Sequence, residues 1–244
     1  TGDYYSTTST AKQGLRMTDD KTKAIYFRRS NWRGTMALFR DISALVGLWY
    51  LASSFPEAWW LYIPIMWLIG ALQFAMGEAL LHEASHHNLF SKPILNKLVG
   101  KIIAYSIFTT LSTWRKEHLY HHQHLMDADD HLSIDYQRYR LHEKLHPIMI
   151  WIVRPLFGLV GWQWVRYNII PGLKNIEVCC FYGSIILATV YFGVFDQFLL
   201  FWLLPQIWAF SSFLYWSEII DHFQVERQGH HQTRTNTSWP VSYT

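Results

Sequence analysis

Four stretches of the chain, residues 36–55, 58–79, 178–194 and 198–216, are apolar around the whole circumference of a helix. A helix on the surface of a water-soluble protein buries one apolar stripe and keeps a polar face. These four have no polar face, and each has about the length that crosses a bilayer core of roughly 30 Å. Pro56-Glu57 separates the first two and a short turn around Asp196 separates the last two. The pattern predicts an all-α integral-membrane protein of two transmembrane hairpins, four spans in all. Trp59, Trp60 and Tyr62 sit at one end of a span, where an aromatic interface belt belongs. Residues 1–35 are polar and form a separate extramembrane segment ahead of a membrane domain over 36–244. Two further apolar runs, 94–110 and 147–170, are interrupted by Lys101, Arg154, Pro155 and Arg166. Their flanks must return to one membrane side, so they are expected to lie in the interface as amphipathic helices.

The distribution of positive charge orients the hairpins. Of the 21 Lys and Arg residues, eight fall in residues 1–40, eleven in 82–175, and two, Arg227 and Arg234, in the tail. None lies in 41–81 or 175–221, so both short turns are free of positive charge and all the long polar segments are rich in it. Cytoplasmic loops carry this excess. The long segments are therefore expected to build a cytoplasmic cap. The same distribution accounts for the net charge of +3 without a nucleic-acid partner. Cys179 and Cys180 are the only cysteines and are adjacent, which excludes a disulfide framework and argues against thiolate-bound zinc or iron–sulfur. Both are expected to be buried as small apolar side chains.

All thirteen histidines fall on the cytoplasmic side of this topology. The first group is His82-Glu83-Ala84-Ser85-His86-His87, at the end of the second span. A spacing of four puts His82 and His86 on one helical face, one turn apart. His87 points about 100° further round and needs a second ion or a fraying helix end. The second group, His118-Leu119-Tyr120-His121-His122, uses offsets of three and four, and His222 follows the fourth span in Glu218-Ile219-Ile220-Asp221-His222. Two hairpins thus bring three distant sets of imidazoles to one depth. Many neutral imidazoles without thiolates suit iron, zinc or copper, and more than four exceed one tetrahedral ion. His124, His131, His142 and His146 continue neither spacing and are left out of the ligand set. The nearby carboxylates Glu78, Glu83, Glu117, Asp127, Asp129, Asp130 and Asp221 offer acceptors for the ring N–H groups of ligating histidines.

These motifs resemble the histidine boxes of the membrane fatty acid desaturase superfamily, which also contains hydroxylases and ketolases. HEASHH at 82–87 is similar to the first box and HLYHH at 118–122 to the second. EIIDHF at 218–223, with TRTNTSW at 233–239, is similar to the lone-histidine segment preceding the third. The resemblance implies a di-iron centre ligated by His82, His86, His87, His118, His121, His122 and His222. It also implies O2 as co-substrate, a lipid or acyl substrate, and electrons from a carrier such as ferredoxin or cytochrome b5. The implied reaction removes hydrogen from an unactivated C–H bond and ends in an alkene or an alcohol. The third box, HxxHH or QxxHH, does not occur before Thr244; Arg227-Gln228-Gly229-His230-His231 carries Arg at its first position and reads as a solvated loop. The chain, which begins at Thr1 without Met, is therefore expected to be incomplete at its C-terminus, with the third box beyond Thr244. Two other classes fit parts of the pattern. His82-Glu83-Ala84-Ser85-His86 satisfies HExxH, the zinc peptidase motif, but that mechanism leaves HLYHH unused. A metal transporter would need ionisable groups in mid-span, which these spans lack.

Overall fold

A computed structural model describes residues 29–125, 127–141 and 143–222, the side chains of Asp221 and His222 excepted. The segment 1–28, His142 and the pair His230 and His231 lie outside the described residues. Every regular element among the described residues is helical.

Three helices are long and apolar enough to cross a membrane: α1 (Asn31–Ser54), α2 (Trp59–Ser85) and, past a second hairpin, a helix over Phe195–Ile220. At 1.5 Å per residue, the 24 residues of α1 extend about 36 Å, more than a bilayer core. Its start is fixed by Ser30, whose hydroxyl accepts from the Arg33 N–H at 3.4 Å. Trp32, Phe39, Val46 and Tyr50 project from α1 with more than half their surface uncovered, as lipid-facing residues do. Helix α2 runs past the expected end at residue 79 and carries His82 without a break. A π-helical turn, Met76–Leu81, widens it just before that histidine, a feature that often marks functional positions.

The remaining helices follow from their breakers. Helices α3 (Pro93–Ser106) and α4 (Leu111–Gln123) meet at 90°. Helix α5 covers His131–Arg138. Helix α6 (Leu159–Gly172) starts at Gly158, whose φ of +81° suits a residue without a side chain. It meets α7 (Ile176–Tyr191) at 106°, and the helix that contains the span Phe195–Ile220 and closes at His222 is α8. The third expected span, 178–194, is shifted: Asn175 caps α7 at Glu177 N, 2.9 Å away, so the helix starts at Ile176, and it stops at Tyr191, before Gly193 at φ +68°. Its 16 residues reach about 24 Å, so α7 crosses a bilayer only together with α6. The described fold holds three spanning helices, or up to five if each bent pair counts as one. Cys179 and Cys180 are exposed, against expectation. The outer face of an apolar bundle meets lipid, so an apolar-behaving residue there need not be covered by protein.

Helices α2 and α8 pack at close range. A side chain at Gly70 would collide with the Ala209 methyl and stand 2.7 Å from Phe210 N. Gln73 Nε2 donates to the Trp202 carbonyl at 3.0 Å, and Gln206 Nε2 to the Ser106 carbonyl at 2.6 Å. One buried cluster joins Leu81, Ala84, Ile103, Val178 and Phe210 behind the end of α2. A second joins Leu132 and Tyr136 of α5 to Tyr215 and Ile219 of α8. The loop leaving α2 is held by Asn96, which is fully buried. Its Oδ1 accepts from Phe90 N at 3.0 Å and its Nδ2 donates to Phe90 O at 2.8 Å. Asn96→Leu strands both backbone groups, at about 1–3 kcal/mol for each left unsatisfied. Thermal melting in detergent should fall accordingly, whereas an unchanged melting point would contradict this account of the loop.

Candidate metal centre

The end of α2 and the length of α4 face each other across a cluster of imidazoles. His82 and His86, one turn apart on α2, meet His118 and His122, one turn apart on α4. One ring nitrogen from each of the four lies within 4.8 Å of all the others. His118 is the hub: its Nε2 is 3.1 Å from His86 Nε2 and 2.9 Å from His122 Nε2, and its ring is 4.6 Å from that of His82. Trp114, one turn earlier on α4, stacks on His118 at 4.5 Å and fixes the plane of its ring. Helix α4 starts in register because the Thr110 hydroxyl accepts from Thr113 N at 3.1 Å. Gly100 of α3 lets Leu111 and Ala84 approach, which brings the start of α4 against the end of α2.

The donor set fits a cation. An imidazole nitrogen has one in-plane position, which either donates one hydrogen or accepts one. His118 Nε2 cannot satisfy two nitrogens at hydrogen-bond distance, but a shared metal ion draws all the lone pairs at once. Burial, followed by the facing rings of His82, His122 and His86, pushes His118 down to about 3. Burial and the neighbours His121, His86 and His82 also lower His122. His118 is therefore neutral, the ligating form, throughout the ordinary pH range, and His122 is shifted towards the same form.

Acidification should test this directly. The folded-state pKa of His118 lies below the ordinary 6.5, so as pH falls the unfolded chain takes up protons first. The His118 contribution to stability is full above 6.5 and lost towards about 3, and metal held by that ring should leave in the same window. Metal content measured after equilibration at a series of pH values should hold through 6.5; release complete at or above that value would contradict the assignment.

The other expected ligands are placed differently. His87 adopts φ +60° where the helix ends, and its Nε2 accepts from Arg115 Nη1 at 2.6 Å. Burial, then the Arg115 and Arg29 cations, lowers its pKa. His121 points away from the four-imidazole cluster because it lies about 100° round the helix from His122. Its Nδ1 is 3.0 Å from Asp130, beside His131, and these three form a second group able to hold an ion. His222 closes the last helix, one turn past Ile219, which packs in the same buried cluster as Leu132 of α5. Its side chain lies outside the described residues. Sequence spacing left His131 out. The signal that could have found it was Asp130, an acceptor directly before it. Glu83 Oε1 stands 3.4 Å from His82 Nδ1, as an outer carboxylate would.

Fold and cluster together define a helical membrane protein with a histidine cluster of the kind that holds metal ions. The sequence profile of the family described as "Fatty acid desaturase" matches residues 57–244. The chain belongs to the fatty acid desaturase family. It is 30% identical over 146 residues, 58% of its length, to a chloroplastic omega-3 fatty acid desaturase of Glycine max. It is 30% identical over 95 residues, 39% of its length, to an endoplasmic-reticulum acyl-lipid omega-3 desaturase (cytochrome b5) of Arabidopsis thaliana. It is 22% identical over 224 residues, 80% of its length, to a dihydrorhizobitoxine desaturase of Bradyrhizobium elkanii. These matches span 31%, 24% and 60% of the respective relatives.

Proposed function

We propose that the protein oxidises C–H bonds of a lipid acyl chain, by desaturation, at a histidine-held di-iron centre. The observation that carries this reading is the convergence of four imidazoles from two separate motifs on one point. His82, His86, His118 and His122 would hold the first iron, and His121 the second, joined by His222 from the end of α8. When bound, the irons supply reductive activation of O2 and the power to remove hydrogen from an unactivated C–H bond. Four nitrogen ligands at one position exceed the three of a catalytic zinc peptidase, which disfavours the HExxH alternative.

The chain's own residues supply the rest. Burial keeps His118 neutral, and Trp114 fixes its orientation. An apolar cavity of about 640 Å³ opens between α1, α3, α7 and α8, lined by Ile42, Val46, Met76, Ile102, Phe198 and Trp202. It has the size and lining of a site for an apolar ligand, and Met76 places one wall on the helix that carries His82. The basic segments on the histidine side would face the cytoplasm and suit an acidic electron carrier. The cytochrome b5 in the name of the Arabidopsis relative supports a carrier of that kind. Family membership also allows hydroxylation, and product analysis separates the two. Full-length gene expressed in a host with a simple lipid profile should add double bonds to acyl chains. New hydroxyl groups would assign the hydroxylase reaction, and unaltered lipids in a strain that accumulates iron-loaded protein would overturn the proposal.

A further inference from the structure

Helix α5 begins at Asp130, whose carbonyl accepts from Ile134 N at 3.1 Å. An aspartate at this position ordinarily turns its carboxylate to the first free N–H groups of the helix. Asp130 makes no such side-chain bond. Its side chain has no exposed surface, and its two oxygens stand 3.0 and 3.1 Å from Nδ1 of His121. The same carboxylate is 3.4 Å from Nδ1 of His131, and the two imidazole rings are 4.9 Å apart. One donor atom from each of the three residues lies within 4.8 Å of the other two.

An ionised carboxylate can only accept, so His121 donates through Nδ1–H and keeps the lone pair on Nε2. Fixing the tautomer of a metal-binding histidine in this way is the ordinary work of an outer carboxylate. Resting on the di-iron reading above, we propose that Asp130 and His131 build the second metal position with His121. Asp130 is its positioning residue, holding the His121 ring through Nδ1 and standing 3.4 Å from Nδ1 of His131. His131, outside both histidine motifs, adds a nitrogen ligand.

The test counts metal rather than turnover. Full-length protein, purified in detergent and loaded anaerobically with ferrous iron, is assayed for iron per chain and by Mössbauer spectroscopy. The wild type should hold two irons in two environments. Asp130→Asn and His131→Ala should each weaken the second iron by about 10–100-fold, the usual cost of losing such support. The spectrum of the first iron should persist, which also reports an intact fold. Two irons with unaltered spectra in both variants would overturn the proposal, as would loss of both irons at an unshifted metal-free melting temperature. If Asp130→Asn does not fold, His131→Ala decides alone. A wild type that binds fewer than two irons would instead sink the di-iron reading itself, and this inference with it.

Discussion

His118→Ala should empty the four-imidazole position and abolish lipid oxidation. His118 is the residue through which the cluster is connected: two imidazole nitrogens approach its Nε2 at 3.1 and 2.9 Å, and the His82 ring adds a third contact. Loss of an outer carboxylate alone weakens metal binding by about 10–100-fold, so loss of this central ligand should exceed 100-fold. Metal-free stability should hardly fall, because crowded neutral imidazoles without an ion gain little from one another. That combination separates a ligand from a structural residue. Lys101→Ala is the matched control: its ion pair with Glu177 is exposed at 3.0 Å, and such pairs contribute about 0–1 kcal/mol. Iron content and lipid products should be unchanged in that variant. Retained iron in His118→Ala would remove the cluster from the chemistry.

A marked change in stability is expected from a single methyl group. At Gly70 an added Cβ meets the Ala209 methyl and comes 2.7 Å from Phe210 N, part of the backbone of α8. Neither neighbour can swing aside as a flexible side chain would. Gly70→Ala gains about 1 kcal/mol of helix propensity, but overpacking of this kind costs about 1–3 kcal/mol, and more where backbone must move. The displacement would also part α2, which carries His82 and His86, from the end of α8, which carries His222. Gly47→Ala in α1 reverses the sign: nothing lies within 4 Å of its added Cβ, so only the propensity gain remains. Thermal melting in detergent should therefore fall for Gly70→Ala and hold or rise for Gly47→Ala. Equal shifts would mean that α2 and α8 are not in close contact.

Much of this architecture was written in periodicity. The spacing of four that joins His82 to His86 and His118 to His122 is a local property of a helix, so both pairs could be read before the fold was known. The directions of His87 and His121 could not. His87 leaves its helix at a positive φ and meets Arg115, and His121 turns to Asp130, a partner positioned only when the segment after residue 123 folds back. The approach of His131 to His121 could not be read either, because its distance from the second motif fits no helical repeat and its place depends on α5 packing against α8. The bounds of the span over 178–194 were displaced because hydropathy does not register where an N-cap starts a helix or a positive-φ glycine follows its end. Cys179 and Cys180 face outward because burial habits learned in water do not transfer to a surface bathed in lipid.

The most direct measurement is the iron K-edge X-ray absorption spectrum of the purified full-length protein. Histidines drawn together from α2 and α4 predict iron in a nitrogen shell with the multiple-scattering pattern of several imidazoles and no sulfur. Iron surrounded mainly by oxygen, or zinc bound in its place at one ion per chain, would contradict the account.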